Sequence, residues 1–275
     1  MPAGIVRYHA LQQDRVIKFN MAPIITGEKA YPRPTDTALR LSACSGMIRL
    51  GHYTAIGLLA LVITMAAAAV RANALTVSIQ PGAFKKPNDP VHQITTAINQ
   101  VTAVFDDHDM PITARRRKLR QLAAQHFDFE QMSRSALGYH WKQLTPQQRA
   151  AFVPLFTDFI EDIYLSKLQQ SNVQKVQNAI SSVDIKFTKE ITLQPGYVKV
   201  YSVVILHNDP NPMNVNYLLK REKDGWRVYD LELDSISVIA NYRNQFDRVI
   251  NMEGYPKLVA ELQAKQQKLA STLGE

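Results

Sequence analysis

The chain has 275 residues, 46% of them hydrophobic and 20% charged, with a single cysteine. That is globular composition, and it excludes wholesale disorder, a collagen-like repeat and a disulfide-stapled miniprotein. The net charge of +8 is unevenly spread: residues 1–74 hold 8 Lys/Arg against 3 Asp/Glu, leaving 24 against 21 beyond, so the basic balance is weak evidence for a nucleic-acid partner.

Residues 1–46 show no sustained helical or strand period. The longest apolar run, Thr54 to Val70 (TAIGLLALVITMAAAAV), follows Met47-Ile48-Arg49 and leads to Ala72-Asn73-Ala74. A short basic start, an apolar middle and a small-x-small site read as an export signal over residues 47–74, cleaved near Ala74. As a membrane span the run is short against the roughly 20 apolar residues needed, and four consecutive alanines make it only mildly apolar. Residues 1–46 are then a mis-assigned start or a disordered extension, and residues 75–90, with Pro81, Pro87 and Pro90, a linker. Cys44 lies ahead of the signal, so the exported chain carries no thiol chemistry and no disulfide.

Beyond the linker, Val91, Ile94, Ile98, Val101, Val104 and Phe105 recur every three or four residues and predict a helix ending near Asp106-Asp107-His108-Asp109. A second is expected over Ile112 to His126, with Leu119 and Leu122 inward and Arg115, Arg116, Arg117, Lys118 and Arg120 mostly outward. A third spans Asp128 to Leu137 and closes at Gly138. Thr145-Pro146-Gln147-Gln148 supplies an N-cap, a first-turn proline and a capping-box glutamine for a fourth, whose apolar face is wide and aromatic. The period then becomes two: Val183 to Phe187, Tyr197 to His207, Met213 to Leu219 and Gly225 to Ser237 predict an antiparallel meander of about four strands. Helical spacing returns from Val238 to Ile250, stops at Gly254 and resumes to Leu269. Helices, sheet and helices over residues 91–270 read as one α+β domain.

Candidate chemistry is sparse. Consecutive residues in Asp106-Asp107-His108-Asp109 point in different directions, so a solvated helix end accounts for them better than a metal site. Asp230, Glu232 and Asp234 alternate on the fourth strand, sharing a face with Trp226 and Val228. They are either an acid/base or calcium group or a solvent-facing surface. His92, His108, His126, His140 and His207 have no partner at HExxH spacing, and no GxSxG, Walker or GxGxxG motif occurs. No catalytic residue, metal or cofactor is assigned, and an enzyme is not expected. Replacing Asp230, Glu232, Asp234 or His108 singly is expected to leave function within a few-fold. The arginine run is a solvated helix face or a surface for anionic lipid or an acidic partner. The second strand is apolar on both faces around Val203 to Leu206. Either helices cover both sides of the sheet, or one side lines a cavity.

Two composite motifs carry a resemblance. Phe127-Asp128-Phe129-Glu130-x-Met132 runs on to Ala136-Leu137-Gly138, Trp141 and Leu144-Thr145-Pro146-x-Gln148-Arg149-x-x-Phe152. Asp224-Gly225-Trp226-x-Val228-Tyr229-Asp230 is followed by Ser237-Val238-x-x-Asn241-Tyr242-Arg243-x-Gln245-Phe246 and Glu253-Gly254-Tyr255. Together they resemble the MlaC family of periplasmic phospholipid-binding proteins, formerly called toluene-tolerance auxiliary proteins, over roughly residues 90 to 268. The resemblance implies a periplasmic carrier that moves phospholipid between inner-membrane and outer-membrane Mla complexes and maintains outer-membrane lipid asymmetry. It also implies helices and an antiparallel sheet enclosing the acyl chains in an apolar lipid cavity. It implies no nucleic-acid partner and no integral membrane anchor. A hopanoid-associated branch shares the motifs, so a polycyclic lipid carrier is the alternative, with a periplasmic hydrolase behind it. Departures are the N-terminal extension, Tyr139-His140 in place of a basic residue, and Pro154 inside the aromatic helix.

Under this resemblance, helical and strand spacing nominate lipid-binding positions. Phe156, Phe159 and Ile163 share a face of the fourth helix. Tyr201 with Val203, Tyr217 with Leu219, and Leu231 are placed across the cavity by the two-residue strand period.

Overall fold

The computed structural model describes residues 89–170, 183–206 and 211–273. The expectations placed on residues 1–88, the export signal and Cys44 included, lie outside them. The chain divides after Leu58 into two units, and the described residues all belong to the second, Leu59–Glu275.

Helix α1 (Pro90–Asp106) opens on Asp89, whose carboxylate accepts the Val91 N–H at 2.9 Å, with Pro90 where no backbone donor is needed. All six of its periodic apolar residues are buried. Helices α2 (Ile112–His126) and α3 (Phe129–Leu137) follow, then a 3₁₀ turn, Gly138–Gln143, and α4 (Pro146–Gln170). At the start of α4 the Gln148 N–H donates to Thr145 Oγ1 (3.2 Å) and the Thr145 N–H to Gln148 Oε1 (2.9 Å), the reciprocal bonds of a capping box. Gly138 sits at φ +52°, and a Cβ there would lie 3.0 Å from the Arg243 side chain. Arg243 crosses it to donate to the Ser135 carbonyl at 2.7 Å, tying α5 (Val238–Glu253) to α3.

The sheet is an antiparallel meander, β1 (Val183–Gln194), β2 (Tyr197–Leu206), β3 (Met213–Glu222), β4 (Gly225–Leu233) and a short β5 (Ile236–Ser237). The fourth strand expected to run through to Ser237 is instead broken at Asp234 and Ser235, both with positive φ. Asp234 holds the turn: its N–H donates to the Asn214 carbonyl and its carboxylate accepts the Asn214 N–H at 2.9 Å. Asp is one of the few residues that enter the left-handed region readily, so the sheet has five strands.

A β-bulge changes the faces of β4. Val228 pairs with Leu219 and Asp230 with Leu218, leaving Tyr229 as the extra residue. Asp230 and Glu232 therefore share the parity of Leu218 and Asn216, while Trp226 and Val228 take that of Leu219 and Arg221. The shared face expected for all five does not form. The three carboxylates have separate tasks. Glu232 pairs with Lys199, and Asp234 holds its turn. Asp230 accepts from the backbone N–H groups of Leu231 (2.8 Å) and Ile239 (3.0 Å) and from the Ser237 hydroxyl. Ser237 in turn accepts the Ala240 N–H, so Asp230 and Ser237 together cap α5.

The arginine run is also corrected. Arg115 and Arg116 are each 5% exposed. Arg115 donates to the carbonyls of Val104 (3.3 Å) and Asp107 (2.7 Å), closing the C-terminus of α1, where a cation is favoured. Arg117 and Lys118 are exposed, as expected. At the family departure, Tyr139 is exposed and His140 is buried against Asp247, 2.8 Å away.

Asp230→Ala removes acceptors from buried donors and is expected to cost about 2 kcal/mol of stability. Urea denaturation followed by circular dichroism measures it. An unchanged midpoint would contradict the capping role.

Candidate functional site

Five helices converge on β4 without filling the space between them. The resulting cavity contains about 810 Å³ of empty space, part of it continuous with solvent. Its walls are Val101 and Phe105 of α1, Leu119, Arg120 and Ala123 of α2, and Met132 of α3. Ile160, Glu161, Tyr164 and Leu165 of α4, Asp230 and Leu231 of β4, and Val238 and Ile239 of α5 also line it. Ligand pockets are mostly apolar with a few convergent polar groups, and this lining has that character.

The Phe-Asp-Phe motif acquires a local reason here. Phe127 and Phe129 both line the cavity, their rings stacked 6.0 Å apart. Asp128 between them caps α3 through the Gln131 N–H (2.8 Å) and pairs with Lys220 of β3 at 3.0 Å. Its own N–H donates to the Val228 carbonyl, so the motif is fixed to the sheet while its two rings face the space. A second, smaller hollow of about 400 Å³ lies between α1 and the sheet, lined by Ile94, Ala97, His126, Tyr217, Leu219 and Val228 among others. The two share Val101, Phe127 and Leu231 as a common wall.

Of the eight positions nominated from spacing, Leu231 lines both spaces, and Tyr217 and Leu219 line the smaller one. Phe156 and Phe159 are fully buried in an aromatic core between α4 and α5. Phe156 meets Tyr242 and Phe246 edge-on at 5.5 Å, and Phe152 joins the stack. Ile163 is half-buried and outside both linings. Tyr201 and Val203 have the opposite parity to Val200 and Val204, which are buried, and stand on the outer face. There Lys199 lies 4.8 Å over the Tyr201 ring and Lys189 6.0 Å over it, so lysine side chains cover that apolar face.

The cavity face of α4 begins one turn after Phe156, at Ile160, and Glu161 shares it. Arg120 Nε lies 3.5 Å from Glu161 Oε2, and its Nη2 lies 2.6 Å from Asp162 Oδ1. Burial pushes the Glu161 carboxyl up to about 7, against the downward pull of Arg120 and with the upward push of Asp158 and Asp162. The hydroxyl of Tyr164 is hydrogen-bonded to Tyr242. Away from the cavity, His126 is buried between Gln100 (2.6 Å) and Gln93 (3.2 Å), and burial lowers its pKa. Sequence reading passed over Glu161. The available signal was an acid three and four residues before Tyr164 and Leu165, on a face otherwise apolar.

An α+β domain holding an apolar cavity with one charged wall segment is the architecture of a binding protein for an apolar or amphiphilic molecule. The comparisons agree on its kinship. The family model "MlaC protein" matches residues 95–264, and the chain belongs to that family. It is 23% identical over 140 residues to the intermembrane phospholipid transport system binding protein MlaC of Haemophilus influenzae, an alignment that spans 50% of this chain and 62% of that relative. The fold is similar to the solved structure of a phospholipid-binding protein from Ralstonia solanacearum in complex with a phospholipid. The TM-score is 0.53 at 23% identity, covering 65% of this chain and 97% of that one. No helix among the described residues is long and apolar enough to cross a membrane.

A carboxyl whose folded pKa is raised holds its proton longer than the unfolded chain does. The stability it contributes is full below about 4.5 and is lost as pH rises to about 7. Glu161→Gln should therefore gain stability relative to the natural protein across that window, with no further change above it. Thermal melts at a series of pH values test this, and a difference constant with pH would contradict it.

Proposed function

We propose that the protein is a phospholipid carrier that takes acyl chains into the cavity between α1, α2, α4 and β4. It carries them through the periplasm between outer-membrane and inner-membrane Mla complexes, helping to keep the outer leaflet free of phospholipid. Export by the signal at residues 47–74, with cleavage near Ala74, belongs to the same reading. The single observation that carries it is the cavity itself, left open between helices and sheet and walled by aliphatic and aromatic side chains. Each methylene kept from water is worth roughly 0.8 kcal/mol, so exposing a tail of about 16 carbons costs about 12 kcal/mol. A carrier must hide that surface completely, and an apolar wall does so with no polar atom left unpaired. Catalysis is not part of the proposal. Asp230, Glu232 and Asp234 are drawn into a helix cap, an ion pair and a turn.

Organic extraction of the purified protein followed by mass spectrometry tests the reading. Phospholipid near one equivalent is expected, and protein free of lipid after contact with vesicles would contradict it. A polycyclic lipid in its place would move the cargo assignment. Ala123→Trp separates cavity from core. In a filled core an inserted indole costs about 1 to 3 kcal/mol. Here it should displace lipid with little loss of stability in the lipid-free state, while Val203→Trp on the outer face leaves bound lipid unchanged. Destabilisation by Ala123→Trp with lipid content intact would contradict the assignment.

A further inference from the structure

The 3₁₀ turn Gly138–Gln143 gathers cations that, among the described residues, no acid neutralises. Elsewhere basic side chains pair with carboxylates: Lys199 with Glu232, Lys220 with Asp128, and Arg227 with Asp224. Around this turn the guanidinium groups are held by backbone carbonyls instead. Arg149 of α4 donates through Nε to the Trp141 carbonyl (2.9 Å) and through Nη2 to that of Lys142 (3.1 Å), and it lies 5.6 Å over the Trp141 ring. Arg243 of α5 spends only Nε, on the Ser135 carbonyl at 2.7 Å, so the fork of its two terminal nitrogens faces solvent. Lys142, on the turn itself, is exposed. None of the three pairs with a carboxylate among the described residues, and Asp247, the acid that reaches the turn, is engaged by His140. Next to His140 stands Tyr139, 73% exposed.

We propose that this turn, with Arg149 and Arg243 fixed against it, is a docking surface for a protein partner that presents carboxylates. The proposal rests on the carrier reading and adds the face that meets a Mla complex during transfer. A guanidinium already held by a carbonyl loses little freedom when it is bound, and the open fork of Arg243 matches a carboxylate with two parallel hydrogen bonds. Arginine, tyrosine and tryptophan are the side chains that supply most of the energy of protein interfaces, and all three meet here. A bilayer fits this surface less well. The exposed large apolar residues, Ile112, Tyr139, Leu193 and Met252, stand on four separate elements rather than along one amphipathic stripe that would enter lipid.

The test measures affinity of the purified protein for the purified inner-membrane and outer-membrane Mla complexes of its own organism, at low and at physiological ionic strength, with phosphatidylglycerol vesicles in parallel. The natural protein should bind at least one complex, more weakly as salt rises. Tyr139→Ala and Lys142→Glu, both at exposed side chains, should each weaken that binding roughly tenfold, while Lys118→Glu on the exposed face of α2 leaves it within about twofold. Binding unchanged by the first two variants, or weakened equally by Lys118→Glu, would overturn the surface assignment and leave the carrier reading standing. Vesicle binding lost in the same variants, with affinity for the complexes intact, would assign the surface to lipid and overturn a protein partner. Binding to neither complex would overturn both this proposal and transfer between them. The salt dependence of the natural protein needs no variant, and affinity indifferent to salt would overturn the ionic contact.

Discussion

Unfilled apolar space is a standing cost to a folded chain, because interiors elsewhere pack as densely as organic crystals and side chains facing a void forgo contacts. The cavity between the helices and β4 persists because its walls are fastened by groups that do not collapse into it. Arg115 closes the end of α1, Asp128 joins α3 to the sheet through both its backbone and Lys220, and Asp230 fixes the start of α5. On the far side of α4 the rings of Phe152, Phe156, Phe159, Tyr242 and Phe246 lock that helix to α5. The rigid core lies beside the binding space rather than in it, so the apolar walls can be left without a partner until a ligand supplies one.

The same division of labour explains why so much buried charge appears in a chain with so little candidate chemistry. Arg115, Asp128, His126 and Asp230 are all buried and all engaged with backbone carbonyls, backbone N–H groups or amide side chains. Buried charges of this kind are retained when they satisfy helix ends that apolar residues would leave orphaned. Arg120 and Glu161 differ in meeting each other on the cavity wall, 3.5 Å apart.

Periodicity made the elements legible. The limits of α1 and α2, the capping box at Thr145, the stop at Gly138 and the meander all follow from spacing and punctuation residues. What spacing could not settle was parity and depth. On β2 both faces are apolar, so nothing in the chain marks Val200 and Val204 as inward and Tyr201 and Val203 as outward. The bulge at Tyr229 reverses the faces of β4 without any glycine to announce it. On α4 the largest rings drew attention to Phe156 and Phe159, yet aromatic residues fill a dry core as readily as they line a pocket. Arginines on α2 looked solvent-facing because a charge run usually is. Arg115 is buried because the C-terminus of α1 ends beside it, a tertiary fact.

The central claim is that acyl chains occupy the space between α1, α2, α4 and β4. A phospholipid carrying a diazirine midway along one acyl chain, loaded on the protein, photolysed and mapped by peptide mass spectrometry, tests it directly. Adducts on Ala123, Phe129, Ile160, Leu165 or Leu231 are predicted. Adducts confined to the outer sheet face around Tyr201 and Val203, or to the aromatic core around Phe156, would contradict it.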